Sequence, residues 1–193
     1  MKTAFLRKMC VAGLTLVEIL VGVAVLGILL AVAAPSMADL MDKRRVIAVA
    51  GEISGILAYT KAETNSTNAL LVIHLEPDSN MSCASVVTLG GGTDECQCYR
   101  SPVDICTGGT AKLLRLFQVP KSDGVKFVAS ADSWSGPVEY TVQFVREQLT
   151  TSAGNLRVDV TGRKAKLRVE VNVAGRVRTC SPDGDISGYA KCA

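Results

Sequence analysis

Histidine is almost missing from this 193-residue chain: it occurs once, as His74. That scarcity removes most imidazole acid–base chemistry and most His-ligated metal sites. Aromatic residues make up only 5% of the chain, with a single tryptophan, Trp134, so there is no row of rings on which nucleobases could stack. The glycine-rich stretch Gly90-Gly91-Gly92-Thr93 lacks the lysine and following helix of a phosphate loop and reads as a flexible turn. There is no internal repeat, and no nucleophile stands near a base in any recognisable pattern. The two carboxylates of Asp183-Gly184-Asp185 read as a turn rather than a calcium loop. These absences argue for a binding or structural role and against an enzyme, with no metal and no cofactor expected.

What is present is aliphatic. Hydrophobic residues reach 48% against 20% charged, which excludes a disordered, collagen-like or coiled-coil chain. The formal net charge of +3 is contributed wholly by Lys2, Arg7 and Lys8. Residues 62–154 carry 6 basic and 10 acidic side chains, whereas residues 155–193 carry 8 basic and 4 acidic. A basic C-terminal part on a neutral body suits either a solvated strand face or contact with a polyanion.

Much of the apolar excess is gathered near the N-terminus. A short basic leader, residues 1–13, ends in Gly13, and residues 14–34 follow with only Thr15 and Glu18 breaking their apolarity. That run is long enough to cross a bilayer as a helix, which takes about 20 apolar residues. The basic leader places the N-terminus in the cytoplasm and the rest outside. An ordinary secretory signal cut after Ala33 is one reading. Against it, the run is long for a signal core and holds a carboxylate, a costly residue in a membrane segment.

The block Gly13-Leu14-Thr15-Leu16-Val17-Glu18 resembles the processing site of type IV pilins and pseudopilins, with a glycine before the cut and a glutamate five residues beyond it. Pro35 stands where that family carries a helix-kinking proline; Leu14 replaces the usual phenylalanine after the cut. The resemblance implies cleavage by a prepilin peptidase between Gly13 and Leu14. It also implies assembly with other pilins through the N-terminal helix, with Glu18 and Pro35 as assembly residues, and contact with an inner-membrane assembly platform. The protein would sit in the bacterial inner membrane as a single-pass subunit, with its head outside the cytoplasm, before entering a pilus or pseudopilus. Near a new helix N-terminus Glu18 is favoured by the macrodipole, and it could pair with the freed amine of a neighbouring Leu14.

Beyond the span, Met37, Leu40, Met41, Ile47, Ala50, Ile53, Ile56 and Leu57 recur at three- and four-residue steps, which predicts one helix over 14–61. Pro35 and Gly51 are candidate bends, and residues 65–68 form a polar stop. The remainder, 62–193, reads as an all-β head of antiparallel strands at 69–75, 85–89, 112–119, 125–130, 138–146, a strand starting at 156, and 167–173. Apart from the candidate at 85–89, residues 76–110 carry no strand pattern. The expected class is α+β: a long N-terminal transmembrane helix, then a two-sheet antiparallel head with disulfides. That plan resembles the pseudopilin H/FimT branch of the family.

Cleavage after Gly13 would remove Cys10 and leave six cysteines: Cys83, Cys96, Cys98, Cys106, Cys180 and Cys192. An even number in an exported head predicts three disulfides. Proximity favours Cys180 with Cys192, and two bridges among the other four whose pairing stays open. The Cys96-Gln97-Cys98 spacing is a poor match to a zinc site.

The segment Gly175-Arg176-Val177-Arg178 carries the chemistry. A three-residue loop, Val173-Ala174-Gly175, pairs Asn172 with Arg176, Val171 with Val177 and Glu170 with Arg178, and puts Gly175 at the left-handed position. Lys166, Arg168, Arg176 and Arg178 would then share one face. Arg178 either pairs with Glu170 across the strands or joins a guanidinium row suited to phosphates. The Gly-Arg-x-Arg pattern resembles that of FimT-type minor pilins, which implies DNA binding during natural transformation through Gly175, Arg176 and Arg178. Lys166, Arg168 and Lys191 join the candidate DNA-binding set on charge and position, with Lys164 nearby. Glu170, Asp183 and Asp185 weaken such a site, and Tyr189 is its sole stacking candidate. The alternative is a subunit that does not bind DNA: a type II secretion pseudopilin H or a pilus-assembly initiator.

Overall fold

The structure is a computed structural model that describes residues 15–88, 95–132, 141–145, 150–151 and 154–192. The proposed cleavage site at Gly13 and Leu14, the turn at Gly90–Gly92, Trp134, and the outer parts of the strand expected over 138–146 lie outside the described residues.

One helix, α1 (Leu16–Thr67), begins the described chain. Thr15 caps its start: Thr15 Oγ1 accepts the Glu18 N–H at 3.2 Å, and Glu18 lies in the first turn. The apolar stretch of α1 is long and hydrophobic enough to cross a membrane, with mean hydropathy 2.8 and none of that stretch buried. The helix is continuous in sequence from Leu16 to Thr67 and ends six residues past the expected end. There Asn68 adopts φ 63°, a left-handed conformation asparagine tolerates, which closes the helix.

The distal half of α1 forms part of the head. Val46, Ala50, Ile53, Ile56 and Leu57 are buried, in the period of one helical face. Met37, Leu40 and Met41 were expected on that stripe and are exposed instead, because the head packs on the helix only from about Asp42 onward.

The strands are β1 (Leu71–Pro77), β2 (Met81–Thr88), β3 (Glu95–Cys96), β4 (Cys106–Thr107), β5 (Leu113–Pro120), β6 (Lys126–Ala131), β7 (Thr141–Val145), β8 (Thr150–Thr151), β9 (Leu156–Thr161), β10 (Lys166–Val171) and β11 (Val177–Cys180). They form a sheet in the order β5-β2-β1-β7-β8, a second in the order β11-β10-β9-β6, and a small β3-β4 ribbon. Every strand pairing is antiparallel. The inner faces meet α1 in one core: Leu71, Ile73 and Leu75 of β1, Phe127 of β6, Val158 and Val160 of β9, and Leu167, Val169 and Val171 of β10. Phe117 and Phe127 stack with ring centroids 6.2 Å apart, joining β5 to β6.

The first hairpin departs most from expectation. β2 begins at Met81, four residues early, inside the stretch that carried no strand pattern. It is buried along nearly its whole length because the cysteine-rich segment packs on its outer side, where Val72, Val87 and Cys96 form a second small cluster. A strand covered on both faces loses the alternation by which it could be read.

Three disulfides hold the head: Cys83–Cys98, Cys96–Cys106 and Cys180–Cys192. The first two pin the cysteine-rich segment to β2 and close the β3-β4 ribbon. Glu76 receives the Cys98 N–H at 2.9 Å; burial nevertheless pushes its carboxyl up, with that hydrogen bond and Arg100 pulling the other way.

A basic hairpin and its neighbours

The β10-β11 hairpin follows the expected register. Glu170 stands opposite Arg178 and Val171 opposite Val177. The turn closes with Gly175 N–H donating to Asn172 O at 2.7 Å and Arg176 N–H to Asn172 Oδ1 at 2.9 Å. Gly175 has φ 68°, which a residue with a β-carbon enters only with strain. Lys61 of α1 reaches the turn, its ammonium donating to the carbonyls of Ala174 at 3.3 Å and Gly175 at 2.9 Å. The side chain of Arg176 leaves this braced turn exposed, and no ion pair joins it to another described residue.

Lys166, Arg168 and Arg178 do share the outer face of the sheet, but acids share it with them. Arg157, Glu170 and Arg178 lie in one cross-strand row, and Asp159, Arg168 and Cys180 in the next. Arg178 binds Glu170 at 2.7 Å. Arg168 grips Asp159 with two hydrogen bonds of 2.7 and 3.2 Å. That bonding raises the Arg168 pKa further above its already high value. Lys166 stands 4.0 Å from Asp183, and Arg157 stands 3.3 Å from Asp132. A shallow hollow of 190 Å³ lies against Asn155, Arg157, Glu170, Asn172 and Arg178. Two guanidiniums, of Arg157 and Arg178, and the Glu170 carboxylate all take part in its lining.

The tail returns to the sheet. Ser181 N–H donates to Ala190 O at 2.8 Å and Cys192 N–H to Ser181 O at 3.1 Å, so the bridge to Cys180 closes a compact loop. Ile186 and Tyr189 of this loop pack on the core, which removes Tyr189 as a free stacking ring. Lys191 is exposed beside the bridge. Asp185 is engaged through its own segment, its carboxylate 3.4 Å from Ser181 Oγ. The only histidine, His74, is half-buried on β1, and burial lowers its pKa.

A second cluster went unnoticed in the sequence. Asp42 of α1 is buried, and its carboxylate accepts three backbone N–H groups of the β9-β10 turn: Arg163 at 2.9 Å, Lys164 at 2.8 Å and Ala165 at 3.1 Å. Burial pushes its pKa up, but the three amides outweigh that and leave it below the ordinary carboxylate value. The available sequence signal was an aspartate beside an apolar stripe, with the glycine-containing turn Thr161-Gly162-Arg163 more than a hundred residues away. No local pattern links the two.

The profile of the prokaryotic N-terminal methylation motif matches residues 8–34. No curated protein matches the chain. The fold is similar to the crystal structure of the type IV minor pilin FimU of Pseudomonas aeruginosa (strain PAO1). That likeness has TM-score 0.50 and 13% identity and covers 72% of this chain and 90% of that one. The minor pseudopilin EpsH from the Type 2 Secretion System of Vibrio cholerae is also matched. There the TM-score is 0.47 and the identity 9%, over 71% of this chain and 97% of that one.

Proposed function

We propose that this chain is a type IV minor pilin or pseudopilin, a reading that its N-terminal motif and its fold support, and that it is built into or primes a filament through α1. We further propose that it presents the β10-β11 hairpin to the phosphate backbone of DNA during uptake. Prepilin peptidase would cut between Gly13 and Leu14, and Glu18 and Pro35 would serve assembly with neighbouring pilins and the inner-membrane platform.

One observation carries the DNA reading. The braced Gly175 turn holds Arg176 exposed, with the half-exposed Arg178 guanidinium two residues away. Arginine offers a planar fork to phosphate. With no stacking row, contact would be to the backbone, tolerant of sequence and steep in salt. Affinity per subunit would be low, and many subunits along one filament would raise it by avidity.

The ion pairs of Arg178 with Glu170 and of Arg168 with Asp159 favour a second reading, a subunit of a pilus or type II secretion pseudopilus that binds no DNA. Titrating the mature chain with labelled duplex DNA separates the two. DNA binding predicts an affinity falling with about −0.9 in log K per log salt for each phosphate contacted. It also predicts loss of binding in Arg176→Gln with Arg178→Gln. Equal binding, or none, in all proteins supports the structural reading.

A further inference from the structure

Three turns of the head converge on one short stretch of α1. Arg45 donates to the Asp123 carbonyl at 3.0 Å, drawing in the β5-β6 turn. Asp42 holds the β9-β10 turn. Lys43 donates to the Asp185 carbonyl at 3.3 Å, drawing in the tail. Lys43, Arg44 and Arg45 of α1 thereby share this end of the head with Lys121 and Lys126 of the β5-β6 connection and with Arg163, Lys164 and Lys166 of the β9-β10 turn. All eight side chains are exposed.

The charge of this collar is one-sided. Residues 39–45, 120–126 and 161–166 hold eight basic and three acidic side chains. With the tail's Asp183, Asp185 and Lys191 the count is nine to five, an excess of four. The rest of 39–193 holds nine basic and twelve acidic residues, an excess of three acids. Little of the collar is neutralised by pairing. Asp42 is engaged by backbone amides, and the ion pairs among the described residues are Lys164 with Asp39 at 3.0 Å and Lys166 with Asp183 at 4.0 Å. Arg45 and Lys43 are bound to carbonyls, which leaves their charge in place.

The collar also lies close along the chain to the apolar stretch. Lys43 follows Ala34 by only nine residues. Long basic side chains carry their charge on flexible aliphatic stems, and their attraction to anionic headgroups acts over about one Debye length of 8–10 Å. The hairpin near Lys61 lies eighteen residues further along α1 and is a separate place.

We propose that this collar docks on anionic phospholipid headgroups of the membrane that α1 spans, with Lys and Arg side chains meeting the phosphodiesters. Before assembly it holds the head to the surface. The proposal rests on the membrane-anchoring reading of α1 and is independent of DNA binding.

The test reconstitutes the mature chain in phosphatidylcholine vesicles and compares spin-labelled phosphatidylglycerol with spin-labelled phosphatidylcholine by electron paramagnetic resonance. The expected result is a several-fold preference for phosphatidylglycerol at low salt. It should fall to near parity at about 0.5 M salt, where screening is short-ranged. It should fall likewise when Arg44→Gln, Lys121→Gln, Lys126→Gln and Arg163→Gln are combined; the side chains of these four make no hydrogen bond or ion pair among the described residues, and unchanged thermal unfolding confirms that the fold persists. Arg176→Gln with Arg178→Gln should keep the preference. Parity in the unmodified chain overturns the proposal, and so does a preference that survives the four substitutions. Absence of any motionally restricted lipid overturns the membrane reading itself.

Discussion

Gly162 lies so close to Asp42 that a β-carbon built on it would come within 2.5 Å of the Asp42 Oδ1. Its other near neighbour would be Val46 Cγ2 at 2.7 Å. The glycine lets the β9-β10 turn settle against α1, and the carboxylate then holds the turn by its amides. Gly162→Ala should therefore destabilise the head by about 1–3 kcal/mol through overpacking. Asp42→Ala, which strands three amides, should cost on the order of 3 kcal/mol. Thermal unfolding of the two single variants and the double variant checks this. The two effects should be markedly less than additive, since both act on one contact.

Acid should loosen the same contact. The folded Asp42 carboxyl sits below its ordinary value, so its stabilisation is present above the ordinary carboxylate pKa and is lost as pH falls below about 4. His74 acts at milder acidity. Its pKa is lowered by burial, so the unfolded chain takes up the proton first and stability falls as pH drops below about 6.5. Stability measured from pH 7 to pH 5 should decline, and His74→Gln should flatten that part of the curve without changing the loss below pH 4.

Glu170 is the acid best placed to oppose a phosphate at the hairpin, being 2.7 Å from Arg178 with little of its own side chain exposed. If the hairpin binds DNA, Glu170→Gln should tighten binding several-fold and steepen its salt dependence. Arg178→Gln should weaken it, and the titration with labelled duplex DNA reads both. Stability should change little, since partly exposed pairs of this kind contribute about 0–1 kcal/mol.

Removing the tail bridge should matter more to local order than to the fold. Cys180–Cys192 closes a loop of 12 residues, worth roughly 2–3 kcal/mol by loop entropy. Cys180→Ser with Cys192→Ser should lower thermal stability by a few degrees. Hydrogen exchange should then rise at the amides of Ser181 and Cys192, while the β9-β10 core keeps its protection.

Legibility in the sequence tracked how local each signal was. The apolar span, the alternation of Leu167, Val169 and Val171, and the left-handed Gly175 each depend on neighbours a few residues away, and the structure matches them, whereas α1 runs on through three residues of the polar stop at 65–68. The pairing of Cys180 with Cys192 followed from proximity. The start of β2 at Met81 was not readable, because a strand buried on both sides shows no alternation. The Thr15 cap on the Glu18 amide is local and follows the Thr-x-x-Glu spacing. Glu170 beside Arg178 was foreseen, whereas Asp159 beside Arg168 needed the β9-β10 register, which no turn signal set in advance. Asp42 on the β9-β10 turn is a contact across more than a hundred residues, and only the packed head reveals it.

The strand β10 is held by α1 at both ends, by Asp42 through the turn before it and by Lys61 through the turn after it. The two grips lie nineteen residues apart on the helix, about 28 Å of helical rise. A pull along the helix axis, as on a subunit under tension, loads both grips together in shear, whereas a single clasp could be peeled open from one side. Traction applied to the helix would thus reach the sheet at two points at once, and the head would yield as a unit.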